Sequence, residues 1–239
     1  FSSIAADSPF EVVPGERQLF LDDVGIAKME GLVKTLHQPQ KKGAVIRGPQ
    51  IRSAPAWDPE ARTYKLMALK SAYESKDGLA WNPIAVEMPL RTDCVVYDPA
   101  AEDPSCRFKG LAPVPGGVAP AVSPDGVTFR KLDVPFIPSS DEYNFSLDGR
   151  NHLFIATVKQ GGPYGRSVWL STSSDGVQWT APDMIFCADA LDQELGRKNI
   201  EERFADPNRQ HPAYNHPAEY NVDVYNMGVF RYESLYIGM

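Results

Sequence analysis

Short runs in which apolar and polar positions alternate, each cut off by turn residues, occupy most of the chain. Thr63-Tyr64-Lys65-Leu66-Met67-Ala68, Arg107-Phe108-Lys109-Gly110-Leu111 and His152-Leu153-Phe154-Ile155-Ala156 are three of them. Each follows a shorter run ending in aspartate: Pro55-Ala56-Trp57-Asp58, Cys94-Val95-Val96-Tyr97-Asp98 and Asn144-Phe145-Ser146-Leu147-Asp148. The pattern predicts a strand, a polar turn and a second strand, three times over. Trp57, Tyr97 and Phe154 are expected in the core, and Asp58, Asp98 and Asp148 in the turns.

A second motif follows each pair. Ser75-Lys76-Asp77-Gly78-Leu79-Ala80-Trp81 returns as Ser123-Pro124-Asp125-Gly126-Val127-Thr128-Phe129 and as Ser173-Ser174-Asp175-Gly176-Val177-Gln178-Trp179, about 50 residues apart each time. The aspartate can accept from backbone N–H groups ahead of it, glycine supplies a positive φ, and the apolar and aromatic residues share one face of the next strand. These aspartates therefore read as turn residues rather than catalysts. With a third strand before each Asp-Gly turn and a fourth after it, the unit has four strands, the size of a propeller blade. The expected class is all-β, a β-propeller forming a single domain. Its parts are a hairpin at 17–40, repeats at about 50–85, 91–133, 142–182 and 219–239, and an insertion at 183–218. Leu191 with Leu195 and Ile200 with Phe204, four residues apart, predict one or two short helices in that insertion. The insertion is expected to fold over one face and line a funnel.

Composition narrows the partners. The 239 residues carry a net charge of −7, which argues against attraction to nucleic acid or anionic lipid. No apolar run approaches the roughly 18 residues of a membrane helix. Three cysteines, Cys94, Cys106 and Cys187, allow at most one internal disulfide. The expected placement of Cys94 and Cys106 at opposite ends of a strand pairing favours buried free thiols, without a structural metal. Ser3-Ile4-Ala5-Ala6 has the small residues of a cleaved export signal, so the expected location is secreted or periplasmic. Because the last residues read as a strand, a C-terminal part of the propeller is expected to be missing. Its place would be taken by the remainder of the propeller or an oligomeric partner.

The triple Ser-x-Asp-Gly motif, Tyr97-Asp98-Pro99 and Arg91-Thr92-Asp93 ahead of an inner strand together resemble the five-bladed propeller glycoside hydrolases of families 32 and 43. The resemblance implies five blades in the intact protein and a carbohydrate substrate handled at the propeller axis, with no cofactor. It implies carboxylates on innermost strands: a nucleophile or base, a transition-state stabiliser and an acid. Asp93 matches the second and Glu142 the third. Where the first should stand the sequence has Ile51-Arg52-Ser53, without a carboxylate. Asp22 or Asp23, or Glu219 and Asp223, are the replacements the sequence offers.

Glycosidic hydrolysis by itself asks for two carboxyl groups across the bond, one protonated and one ionised. The expected catalytic set is Asp93, Glu142 and Glu219, with Arg52, Asn144, His216 and Asp223 binding substrate. His211, His216 and Glu219 are too irregularly spaced for a metal site. A carbohydrate-binding or scaffold propeller without catalysis is the alternative, favoured by the absent first carboxylate. A sialidase-like reading lacks the three-arginine cluster it requires.

Overall fold

The computed structural model describes residues 10–88, 90–210 and 220–239. Among these residues four antiparallel sheets follow one another, with one α-helix between the third and fourth. The first sheet holds β1 (Ala56–Asp58), β2 (Thr63–Ala68), β3 (Ser71–Ser75) and β4 (Asn82–Ile84) in that order. The second holds β5 (Asp93–Tyr97), β6 (Phe108–Val114), β7 (Gly117–Ser123) and β8 (Arg130–Lys131), and β9 (Ile137–Pro138) also pairs with β7. In the third, β10 (Tyr143–Asp148), β11 (Leu153–Gly162), β12 (Gly165–Ser173) and β13 (Asp183–Phe186) are again neighbours in chain order; the fourth is β14 (Val229–Tyr232) with β15 (Leu235–Gly238). The protein is all-β in class. The first strands lie side by side, β1 against β5, β5 against β10 and β10 against β14.

The repeated motif closes the connection from third to fourth strand in the first three sheets by one set of bonds. Asp77 Oδ1 accepts from the N–H groups of Leu79 and Ala80, Asp125 Oδ1 from Val127 and Thr128, and Asp175 Oδ1 from Val177 and Gln178. The serine hydroxyl ahead of each aspartate donates to it and accepts from the glycine N–H. Gly78, Gly126 and Gly176 have φ of 73°, 75° and 74°, which an L side chain rarely adopts. At the opposite corner, Asp58 and Asp148 each accept two N–H groups and Asp98 one in the turn from first to second strand. All six aspartates are therefore built into turns, as the pattern predicted.

Two apolar layers hold the sheets together. Met67, Ala72, Val95, Phe108, Ala121 and Phe129 pack between the first and second sheets, and Leu111, Val118, Ile137, Phe145, Phe154 and Val158 between the second and third. Phe108 and Phe154 are wholly buried, each worth about 2–3 kcal/mol of transfer free energy. The motif's aromatics enter these layers, Phe129 in the first and Trp179, 5.8 Å from the Phe145 ring, beside the second.

Several expectations are corrected. Residues 17–40 form no hairpin. Phe20, Leu21, Val24, Leu32, Val33 and Leu36 are exposed; the Asp22 carboxylate accepts from Val24 N–H, and Gly25 and Gly31 at positive φ keep bending the chain, so no strand can run. The second sheet reaches 138 rather than 133. The third reaches 186 rather than 182, so the insertion starts with a strand. The remainder of it carries one 16-residue helix, α1 (Ala190–Ala205), opened by a reciprocal Asp189–Asp192 capping box. Leu191 and Leu195 are exposed on α1, and the helix is tied down through Gln193, which exchanges two hydrogen bonds with the backbone of Val222. Trp57 is also largely exposed, against Tyr64. All three cysteines are free, but only Cys94 is buried; Cys106 and Cys187 are partly open.

Candidate functional site

Three sheets and the segment leading into β1 meet at one cleft of about 260 Å³, lined by Arg52 ahead of β1, Cys94 on β5, Asn144 and Ser146 on β10, Phe230 on β14 and Met239 just past β15. This convergence follows from the adjacency of the first strands. At Cys94 the β5–β6 register shifts and the backbone takes a φ of +55°, so a bulge at the start of β5 separates the direction of Asp93 from that of its neighbour.

Arg52 and Glu142 are brought together: Arg52 Nη1 donates to Glu142 Oε1 at 3.0 Å, across 90 residues of sequence. Both side chains remain partly open, at 36% and 19%. Glu142 is held at the mouth of β10 by its own carbonyl, which accepts from Lys159 N–H and Ser139 Oγ. Asn144 uses its amide N–H on Asn226 Oδ1 at 2.7 Å, and Ser146 donates to the Val229 carbonyl; the bonds tie β10 to the segment leading into the fourth sheet and to β14 itself.

Asp93 sits differently. Its side chain is 4% exposed, Arg91 Nη2 reaches Oδ2 at 2.5 Å, and the Tyr143 hydroxyl donates to the same oxygen at 3.0 Å. Burial, the Asp93 charge and that hydrogen bond push the Tyr143 pKa well up, so Tyr143 remains a donor. Asp93 belongs to the frame beneath the cleft and does not line it. Asp223 is likewise engaged, its two oxygens gripped by Arg166 Nε at 2.6 Å and Nη2 at 2.9 Å. Glu219 and His216 lie outside the described residues, so the expected approach of Glu219 to Glu142 or Asp93 is not part of this geometry. Asp22 and Asp23 sit on the exposed amino-terminal segment and line no part of the cleft.

Sequence reasoning missed two buried lysines. Lys109 Nζ pairs with Asp98, and Lys159 Nζ with Asp141 at 2.7 Å while lying 3.9 Å from the Tyr225 ring centre. Arg166 covers the same ring at 4.6 Å. The signal was there: Lys109 and Lys159 interrupt otherwise apolar strands, where a lysine persists only with a partner. Among the described residues, no three His, Cys, Asp or Glu side chains gather as a metal site would require, and no helix is long and apolar enough to cross a membrane.

No protein-family model matches the chain, and no curated protein matches it.

Proposed function

We propose that the four sheets are successive blades of a β-propeller and that the cleft at their first strands handles a carbohydrate, cleaving a glycosidic bond with Glu142 as the acid. The observation that carries this reading is the convergence of three sheets and the segment leading into β1 on one small cleft with the partly open Arg52–Glu142 pair at its edge. Chain order within each sheet, repeated Asp-Gly turns and adjacent first strands support the propeller. The cleft offers a sugar ring the aromatic face of Phe230 and hydrogen-bonding groups on Arg52 and Asn144.

In this reading, Glu142 is the carboxyl group placed to pass a proton to the leaving oxygen, and a second carboxylate activates water or attacks the sugar carbon. Asp93, fixed by Arg91 and Tyr143, acts as a positioning residue. Glu219 is the second carboxylate to test. A screen of aryl glycosides and natural glycans should find turnover that Glu142→Gln lowers at least about 100-fold. Turnover untouched by Glu142→Gln and Glu219→Gln would overturn the assignment.

The second reading is carbohydrate binding without cleavage. The burial of Asp93 and the lack of any Asp or Glu side chain lining the described cleft favour it. Saturable glycan binding by the native chain, with no turnover of any bound glycan, would select it.

A further inference from the structure

The cleft is poor in hydrogen-bond donors except at one place. Asn144 spends an amide N–H on Asn226, and Ser146 spends its proton on the Val229 carbonyl. What they still present to a ligand is mostly acceptor: the Asn144 side-chain carbonyl and the Ser146 lone pairs. Arg52 is the opposite. One of its Nη groups is occupied by Glu142, while Nε and Nη2 make no hydrogen bond to a described residue, and the side chain is one-third open.

The charge pattern around it has the same asymmetry. Three other described acids near the entries to these strands each have their own cation: Asp93 has Arg91, Asp141 has Lys159 and Asp223 has Arg166. Among the described residues no Asp or Glu side chain lines the cleft, and Arg52 is the charged side chain that does. A planar guanidinium held on one edge presents a fork that fits a planar carboxylate in bidentate fashion.

We infer that the cleft takes an acidic saccharide, a glycan bearing a uronic acid, with the free edge of Arg52 holding the uronate carboxylate while sugar hydroxyls donate to Asn144 and Ser146. This rests on the carbohydrate reading above and adds the substrate class. In the unliganded protein Glu142 holds the other side of the guanidinium through Nη1.

The experiment is titration calorimetry on the full chain with an α-linked trigalacturonate, the neutral trigalactoside of the same linkage, and that trigalactoside carrying a sulfate ester. The trigalacturonate should bind about tenfold more tightly than the neutral sugar, the effect of one charge-assisted contact. Its affinity should fall as salt is raised from 0.05 to 0.5 M while that of the neutral sugar stays level. Arg52→Gln should bring the two sugars within about twofold, and Arg52→Lys, which keeps the charge without the fork, should retain part of the preference. The salt series is read on the native chain, so it stands even if the variants fold poorly. Equal binding of acidic and neutral sugars, a preference that survives Arg52→Gln, or tighter binding of the sulfate ester would overturn the inference and leave carbohydrate recognition intact. If no sugar binds, the carbohydrate reading falls with it.

Discussion

Lys109 Nζ and Asp98 Oδ2 meet at 2.5 Å with both side chains almost wholly buried, at 8% and 2% exposure. The lysine also donates to the Cys106 carbonyl, and His152 Nε2 approaches the other oxygen of Asp98 at 3.1 Å. Burial by itself would raise the Asp98 pKa. Hydrogen bonds from Lys109, Ala100 N–H and His152 outweigh it and hold the pKa below the usual carboxylate range. The pair fastens the first turn of the second sheet to the third sheet, where Lys109 lies 5.4 Å from the Phe154 ring centre.

Removing one partner leaves the other charge buried and unanswered. Lys109→Met should therefore destabilise the fold by about 3 kcal/mol, and Asp98→Asn by a smaller amount because the amide oxygen still accepts from Ala100. The double variant should lose at least about 1 kcal/mol less than the two single losses combined, as measured by denaturant unfolding. Strict additivity would mean that the two groups stabilise the protein independently.

The repeated turn provides a comparison at constant backbone geometry. Gly78 and Gly126 share nearly the same positive φ, but a Cβ on Gly78 would meet nothing within 4 Å, whereas one on Gly126 would lie 2.9 Å from the buried Phe108 ring. Gly78→Ala should cost about 1 kcal/mol, from the left-handed backbone alone. Gly126→Ala adds overpacking and should cost about 3 kcal/mol. Equal losses in thermal or chemical unfolding would contradict the difference in packing.

Much of this architecture was legible in the sequence because it rests on local chemistry. Ser-x-Asp-Gly states its hydrogen bonds within six residues, so the turns and the strands beside them could be placed from the text alone. What failed needed partners distant along the chain. The alternation in 17–23 resembles a strand, yet no strand in the described structure pairs with it, and Phe20 and Leu21 remain exposed. Leu191 and Leu195 mark a helix correctly, but Gln193, whose partner is Val222, does the docking. The site divides in the same way. Asn144 comes to the cleft because it stands at the start of β10, as the repeat implied, whereas Arg52 reaches it from the segment ahead of β1. Asp93, one position before the Cys94 bulge, is drawn beneath it, and that register shift leaves no mark in the sequence.

The thiols should divide by burial. Burial, with the neighbouring Asp93 charge, pushes the Cys94 pKa up to about 12, so near neutral pH it is both covered and protonated. Cys106 and Cys187 are partly open. A thiol-reactive chromophore at pH 8 should label two groups quickly in the native chain, with the third appearing only on unfolding. Mass mapping should find the late label on Cys94. Rapid native labelling of Cys94 would mean that the start of β5 opens far more readily than its packing implies.

Acid should loosen the protein at the junction of the third and fourth sheets. Asp148 is buried, which alone would raise its pKa, but hydrogen bonds from the Tyr236 hydroxyl, from Asn151 and from Arg150 N–H lower it to about 2. Arg231, 3.3 Å from Oδ1, adds a cation and bridges onward to Glu16. A carboxyl group whose pKa is depressed in the folded state stabilises it fully above the unfolded value of about 3.9, and that contribution disappears as pH falls through about 2. The stability gap between the native chain and Asp148→Asn should therefore be widest above about pH 5, narrow steadily below pH 4 and nearly close at pH 2. Because Tyr236 and Arg231 belong to the fourth sheet, Tyr236→Phe should weaken the same pH dependence while leaving the Asp148 turn bonds to Arg150 and Asn151 in place. Melting temperatures of the three proteins between pH 2 and pH 7 provide the check. A gap that stays constant across that range would show that Asp148 contributes through its shape and neutral hydrogen bonds rather than through its charge.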